Sequence, residues 1–146
     1  MKLAIGSDHA GLRLKEEILQ VLNEMDLEID DVGCHCDDSV DYPDYAIPVA
    51  NKVASGEADK GILICGTGIG MSISANKIKG IRCALVHDVF SAKATRAHND
   101  SNILAMGERI VGPGLAAEIV KAWLGTEYEG GRHARRVEKM MAIEEQ

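Results

Sequence analysis

Short apolar runs alternate with segments of helical spacing along this chain of 146 residues. Residues 61–65, 81–86 and 103–106 are mostly apolar, which is typical of strands buried on both faces of a sheet. Residues 2–6 and 27–32 predict two more strands, the second with the mixed apolar and acidic pattern of an edge strand. Since helical segments separate the strands, the pattern predicts an α/β fold, a Rossmann-like three-layer sandwich with a five-stranded parallel sheet.

Composition limits the number of domains and the kind of partner. A chain of 146 residues with 46% apolar side chains is expected to form one domain, residues 1–146. Its 16 Lys and Arg against 23 Asp and Glu give a net charge of −7, which argues against nucleic acid or a membrane as a partner. With no apolar run near the roughly 20 residues of a membrane span and no signal-peptide pattern, a cytoplasmic protein is expected.

The four cysteines are expected to be reduced thiols. They lack the paired spacing of a zinc site and the density of a secreted disulfide scaffold, so no metal is expected. Cys34 and Cys36 flank His35 in a polar loop, but this arrangement lacks the second half of a closed metal site. Cys83 lies within an apolar run and is expected in the core.

A glycine-rich loop follows the third predicted strand, with glycines at positions 66, 68 and 70. These glycines allow positive φ angles and close approach to the backbone, and a helix beginning near Met71 adds free N–H groups. The spacing matches neither the dinucleotide fingerprint nor the P-loop. Ligands bind beyond the carboxyl ends of such strands, so the loops at 7–9, 65–70 and 87–88 are expected to share one edge.

Cys65 ends that third strand and begins the loop. Loop amides and a helix N-terminus can lower a thiol pKa from its free value of about 8.5 toward neutrality, and the thiolate would then serve as a base. The alternative is a small buried residue that continues the apolar run of Ile62, Leu63 and Ile64. The residues alone leave both interpretations open.

A cluster of basic residues begins the last predicted helix, about 132–145. It comprises Arg132, His133, Arg135 and Arg136, placed where the helix dipole disfavours each cation by about 0.3–1 kcal/mol. A bound phosphate would compensate, and Arg109 and His9 could join it if the fold brings them near. The alternative is a solvated basic face. Farther along, an apolar stripe of Val137, Met140 and Met141 is expected to pack on a second subunit.

His98 lies near the end of a helix that begins near Val89, where the dipole favours the protonated imidazole. It could donate a proton to a ring oxygen, or it could only cap the helix. Asp8 likewise could serve only as a helix cap, and Tyr42 could mark only a helix start before Pro43.

Five motifs together resemble the ribose-5-phosphate isomerase B family, and the match runs from end to end of the chain. The motifs are Ser7-Asp8-His9-Ala10-Gly11, Asp41-Tyr42-Pro43-Asp44-Tyr45-Ala46, Cys65-Gly66-Thr67-Gly68-Ile69-Gly70 with Ser74-Ala75-Asn76-Lys77, His98-Asn99-Asp100 and Gly130-Gly131-Arg132-His133. The resemblance implies interconversion of D-ribose 5-phosphate and D-ribulose 5-phosphate through a cis-enediolate, with no metal and no organic cofactor.

The resemblance also implies a role for each residue. Cys65 would move the proton between C2 and C1, Thr67 and the loop amides would steady the developing oxyanion, and His98 would open the furanose ring. The implied substrate contacts come from Asp8, Tyr42 and Asn99 on the sugar, from His9, Arg109, Arg132, His133 and Arg136 on the phosphate, and from the loop glycines Gly66, Gly68 and Gly70. Family sites lie between subunits, so a homodimer or a tetramer of two dimers is implied, with His98, Asn99 and Arg109 facing the loop of a partner chain.

Two differences among members of this family bear on which residue is the base and which sugar phosphate is the substrate. Some relatives use a glutamate at the position of Met71, which leaves Cys65 as the base here. Galactose-6-phosphate isomerase subunits lack the counterparts of His98 and of the Arg132-His133 pair, which favours a phosphorylated pentose. The alternatives are a hexose 6-phosphate of the allose or galactose type as substrate, and a non-catalytic sensor of sugar phosphates or nucleotides.

Overall fold

The structure is a computed structural model that describes all residues, 1–146. The strands are β1 (Lys2–Ser7), β2 (Glu28–Asp31), β3 (Lys60–Cys65), β4 (Cys83–Leu85) and β5 (Ile103–Gly107). The helices are α1 (Leu12–Asn23), α2 (Pro43–Ala54), α3 (Ile69–Ala75), α4 (Val89–Asn99), α5 (Pro113–Leu124) and α6 (Arg132–Ala142), with 3-10 turns at His9–Gly11 and Ile143–Glu145. All strand pairs are parallel, in the order β2-β1-β3-β5-β4. The predicted fold class is confirmed.

Each face of the sheet carries its own core. Alternate residues of the central strands, such as Ile62 and Ile64, pack with α1, α4 and α5 around Trp123. The intervening residues, such as Leu63 and Cys65, pack with α2 and α3. Since side chains alternate across a strand, an apolar run with both faces covered is what β3 and β5 require. This burial fixes the carboxyl ends of β1 and β3, from which the functional loops leave.

The fourth strand differs from its prediction. The apolar run 81–86 predicts a strand buried on both faces, but β4 covers three residues and lies at the edge of the sheet. Leu85 is 40% exposed, and Cys83 is half-buried against the core on the α2 and α3 side. Desolvation nevertheless raises the pKa of Cys83 to about 12, so its thiol stays protonated. The expectation of full burial is wrong because the edge position leaves the strand without a neighbour on one side.

A buried lysine ties α1 to the loop that follows β2. Lys15 is 1% exposed, and its Nζ donates to Asp31 Oδ1 and to the carbonyl oxygen of Cys34, both at 2.7 Å. The same loop pairs with the end of β1, since Ser7 donates its N–H to the carbonyl of Gly33 at 2.7 Å. The lysine therefore supports the backbone that leads into Asp8.

The last helix lies on the outside of the molecule. Helix α6 begins at Arg132 as predicted and buries none of its residues, and a 3-10 turn continues it to Glu145. Glu144 accepts the N–H of Gly80 at 3.0 Å, which ties the C-terminal turn to the rest of the chain. No helix of the protein has the length and apolar character needed to cross a membrane.

Candidate active site

An open cavity of about 440 Å³ lies where β1 and β3 end. It is lined by Asp8, Ala10, Tyr42, Cys65, Gly66, Thr67, Ile69, Gly70, Ile73 and Arg109. Six of the predicted site residues outside the basic cluster therefore meet at the carboxyl edge of the sheet, together with Arg109, as expected for a parallel α/β fold.

The cysteine of this cavity receives a hydrogen bond from the loop that follows it. Cys65 is 5% exposed, and its Sγ accepts the N–H of Gly68 at 3.1 Å. Gly68 has φ +77°, and a Cβ there would lie 2.8 Å from the carbonyl carbon of Met106. Positive φ and close packing both call for glycine. The loop that follows β3 therefore points an amide donor at the sulfur of Cys65.

Asp8 serves as a cap and also lines the cavity. Its Oδ1 accepts the N–H groups of Ala10 and Gly11 at 3.0 and 3.1 Å. The side chain is 6% exposed, yet it borders the cavity. The structure thus confirms the cap, and the second carboxylate oxygen makes no hydrogen bond within the protein.

Close contacts between loops shape the rest of the cavity wall. A Cβ on Gly70 would lie 2.4 Å from Cε1 of Tyr42, so the phenol ring lies directly against the glycine loop. Thr67 Oγ1 accepts the N–H of Ile69 at 3.3 Å. Tyr42 is 41% exposed, so the outer part of its ring remains open to solvent.

Arg109 lies in the cavity of its own chain. Its N–H donates to the carbonyl of Gly66 at 3.0 Å, and its side chain passes beside that glycine. The expectation that Arg109 faces the loop of a partner chain is therefore wrong. The turn after β5 runs alongside the turn after β3 because the two strands are neighbours in the sheet.

His9 borders an adjacent cavity of about 520 Å³, which also includes Arg13 and Glu108. The Nδ1 atom of His9 accepts the N–H of Val40 at 3.1 Å, so the ring presents Nε2 as its donor. This residue stands between Asp8 and Ala10, both of which line the Cys65 cavity.

A second group of predicted residues gathers elsewhere on the chain. The rings of His98 and His133 are stacked, with centroids 4.2 Å apart and an interplanar angle of 15°. Glu129 Oε2 lies 3.6 Å from His133 Nε2. Desolvation, followed by the nearby His98 and Arg132, lowers the pKa of His133, which favours a neutral imidazole. Ligand atoms of the two histidines and Glu129 lie within 4.8 Å of one another, so these side chains could also approach one cation.

The two groups do not meet within one chain. Neither His98 nor His133 lines the Cys65 cavity, and Asn99 lines a different groove of about 440 Å³ beside Arg82 and Met140. Arg132 and Arg136 are exposed on α6. The single chain thus presents a cavity with a base candidate and, apart from it, a stacked histidine pair with arginines.

The third predicted loop lies at the same edge but serves the fold. His87 Nε2 accepts the N–H of Gly107 at 3.0 Å, and burial lowers the pKa of this histidine. Asp88 caps α4, where its Oδ1 accepts the N–H of Ser91 at 2.6 Å. Both side chains are occupied by these structural contacts.

Sequence reasoning missed Glu129 and Glu108. Glu108 Oε1 accepts the N–H of Leu14 at 2.8 Å and borders the cavity beside His9. Glu129 contacts His133 four positions later, and its N–H binds the distant carbonyl of Ala97 beside His98. The acidic residue before Gly130-Gly131 was the available signal, but an exposed glutamate in a loop predicts no contact by itself.

Comparison with known proteins gives the family. The family model described as Ribose/Galactose Isomerase matches residues 3–140. A Bacillus subtilis (strain 168) protein provisionally named sugar phosphate isomerase YwlF is 66% identical over 99% of this chain and 98% of its own. Ribose-5-phosphate isomerase B of Escherichia coli (strain K12) is 54% identical over 99% and 97%. A D-erythrulose-4-phosphate isomerase of Pectobacterium atrosepticum is 43% identical over 100% and 97%.

Solved structures agree with the sequence relatives. Ribose-5-phosphate isomerase B of Clostridium thermocellum superposes with a TM-score of 0.98 at 54% identity and covers 99% of this chain and 98% of its own. These relatives, together with the parallel sheet of Rossmann-like architecture, identify an isomerase of sugar phosphates. The chain belongs to the ribose/galactose isomerase family, in its ribose-5-phosphate isomerase B branch.

Proposed function

We propose that this enzyme interconverts D-ribose 5-phosphate and D-ribulose 5-phosphate through a cis-enediolate, with Cys65 as the base. The observation that supports the proposal most is the position of Cys65 Sγ, which accepts the Gly68 N–H at 3.1 Å inside the cavity lined by Asp8 and Thr67. The substrate named for the Escherichia coli and Clostridium thermocellum relatives supports the choice of a pentose phosphate.

The proton transfer starts from the open-chain aldose. The Cys65 thiolate removes the proton from C2, the C1=O bond becomes a C–O⁻ single bond, and a C1=C2 double bond forms. The thiol returns its proton to C1, while the O2 hydroxyl proton passes to O1 as C2=O forms. The N–H groups of the glycine loop and the Thr67 hydroxyl stabilise the intermediate oxyanion, where each preorganised donor contributes about 2.7–4 kcal/mol.

The remaining residues hold the substrate. Asp8 has one oxygen free of protein contacts and accepts a sugar hydroxyl, while Tyr42 closes the side of the cavity. Arg109 in the cavity and His9 in the adjacent one are cationic or donor groups suited to a phosphate. Arg132, His133 and Arg136 complete the phosphate site from a second subunit.

The catalytic unit is a homodimer, alone or paired into a tetramer, and each subunit is one domain of residues 1–146. His98 and Asn99 lie outside the Cys65 cavity of their own chain, so they act in the cavity of a partner. Helix α6 supports this arrangement because it buries no residue and leaves Met140 40% and Ile143 61% exposed. We place the enzyme in the cytoplasm, where thiols such as Cys65 stay reduced.

The deciding experiment is exchange of solvent deuterium into C1 of ribulose 5-phosphate, followed by NMR on protein treated with a chelator. Wild type and Cys36→Ala, which alters an exposed cysteine, are expected to exchange at equal rates. Cys65→Ala is expected to lose at least 10²-fold in exchange and in turnover while still binding the sugar phosphate. Full exchange by Cys65→Ala would exclude this base, and loss of wild-type exchange on chelation would exclude a metal-free reaction.

A second substrate class is supported by the relatives named D-erythrulose-4-phosphate isomerases. Comparison of kcat/KM for tetrose 4-phosphates, pentose 5-phosphates and hexose 6-phosphates of the allose and galactose types ranks the substrates. A preference of tenfold or more for a tetrose or a hexose would replace the pentose. Ligand-induced stabilisation without any deuterium exchange would instead identify a non-catalytic sensor.

A further inference from the structure

We propose that Glu129 is a positioning residue for ring opening, which holds His133 and through it the ring of His98. This inference rests on the proposed function, since it assumes that His98 opens the furanose of an aldose phosphate. No motif of the sequence singled out Glu129, and it lies outside the Cys65 cavity.

The backbone of Glu129 is bound to the end of the helix that carries His98. Its N–H donates to the carbonyl of Ala97 at 3.0 Å, one residue before His98. Helix α4 ends there, because Asp100 adopts a left-handed conformation with φ +49°. This hydrogen bond therefore fixes the backbone of Glu129 to the last turn of α4, beside the histidine pair.

The side chain of Glu129 acts on His133 and not on His98. Its Oε2 lies 3.6 Å from Nε2 of His133, and that histidine side chain is 12% exposed. The His133 ring in turn lies flat against His98 at 4.2 Å. No hydrogen bond in the protein reaches a ring nitrogen of His98, so contact with the face of His133 is what orients this exposed ring. The Glu129 carboxylate thus positions the His133 ring, and the His133 ring positions that of His98.

Charge gives Glu129 a second effect. The groups around His133 are His98, Arg132, Arg136 and Glu129, and of these only Glu129 is anionic. Desolvation, His98, Arg132 and Arg136 lower the pKa of His133, whereas the Glu129 carboxylate, 3.6 Å from its Nε2, acts in the opposite direction. The carboxylate therefore attracts the His133 ring, against which His98 is stacked.

Ring opening and enolisation can be measured separately. In ribose 5-phosphate the ring oxygen is O4, so opening breaks the C1–O4 bond as O4 gains a proton and the O1 hydroxyl loses one. Ribulose 5-phosphate has no such ring, since its C5 hydroxyl carries the phosphate. Turnover of ribose 5-phosphate therefore needs His98 and Cys65, whereas deuterium exchange at C1 of ribulose 5-phosphate needs Cys65 alone.

The test compares Glu129→Ala with Glu127→Ala, which removes an exposed carboxylate from the same loop. For Glu129→Ala, kcat/KM for ribose 5-phosphate is expected to fall at least tenfold. This loss is part of the 10²–10⁴-fold that the general acid–base itself contributes. The C1 exchange rate at saturating ribulose 5-phosphate is expected to stay within twofold of wild type, so that weaker phosphate binding through His133 does not affect it. Glu127→Ala is expected to leave both rates unchanged.

Three results would overturn the inference. Equal loss of turnover and exchange in Glu129→Ala would show a general structural role, and no loss would show no role. Ribose 5-phosphate turnover that disappears with chelator and returns with Zn²⁺, while exchange persists, would show that His98, Glu129 and His133 hold a metal instead. Failure of the proposed function is distinct, because wild type itself would then show neither turnover nor exchange.

Discussion

Gly68 has a positive φ angle and donates its N–H to Cys65 Sγ. Replacing it with alanine keeps the N–H group but makes the conformation unfavourable. The residue has φ +77°, where an L-amino acid costs about 1–2 kcal/mol. The new Cβ would also lie 2.6 Å from Leu85 Cδ1 and 2.8 Å from the Met106 carbonyl carbon. Backbone cannot yield as a side chain does, so overpacking adds about 1–3 kcal/mol. The total destabilisation of Gly68→Ala is thus about 2–5 kcal/mol.

Gly56→Ala is the matched control. Gly56 has φ +83°, yet a Cβ there meets nothing within 4 Å. Its substitution therefore isolates the conformational cost, about 1–2 kcal/mol, far from the cavity. Urea unfolding at one protein concentration measures both variants against wild type, and the excess loss for Gly68→Ala, about 1–3 kcal/mol, is the cost of close packing.

Activity gives the second measurement. Relief of the contact with Met106 moves the Gly68 amide away from Cys65 Sγ, and a displacement near 1 Å in a catalytic loop costs about 10²-fold in rate. We expect kcat of Gly68→Ala to fall by that factor while Gly56→Ala keeps wild-type kcat. If the two variants unfold with equal free energies and Gly68→Ala turns over normally, the reasoning about close approach at this loop is wrong.

Two further predictions concern buried titratable side chains. Lys15→Met leaves the Asp31 carboxylate without its cation, so the free energy of unfolding is expected to fall by about 3–5 kcal/mol. Asp31→Asn leaves the Lys15 ammonium, which is 1% exposed, without its anion, so this variant should also be destabilised. Equal stability of Lys15→Met and wild type would contradict the role of this pair. Burial lowers the pKa of His87 in the folded protein, so the unfolded chain binds more protons and stability falls as pH drops through about 6.5. His87→Gln should flatten that slope between pH 7 and 5 in urea titrations, and an unchanged slope would assign it to other groups.

The sequence predicted the fold well where local pattern and tertiary environment agree. The runs that became β3 and β5 are covered on both faces, so their apolar character matches their burial. The prediction that the run around Cys83 is buried on both faces was wrong, because apolar character does not distinguish an edge strand from a central one. Strand order depends on which neighbours pair, and periodicity within one strand does not contain that information.

The candidate site was predictable to the extent that it depends on the edge of the sheet. Asp8 and Cys65 end neighbouring parallel strands, so topology alone brings them together. Arg109 was assigned to the wrong subunit because its placement depends on the β3–β5 pairing. Glu129 contacts His133 four positions later, but its approach to His98 depends on a backbone hydrogen bond to Ala97, 32 positions earlier in the chain, so it was missed. The meeting of these two segments is a property of the assembled fold.

The distance between the Cys65 cavity and the stacked histidines within one chain has a consequence for how activity arises in time. Under the proposed shared site, a newly made chain folds with its base in place but cannot open a sugar ring. Each pair of chains gains two complete sites at the moment of association. At high dilution, turnover of the cyclic substrate then grows with the square of the chain concentration. A newly synthesised chain becomes active on this substrate only after it associates with a second copy.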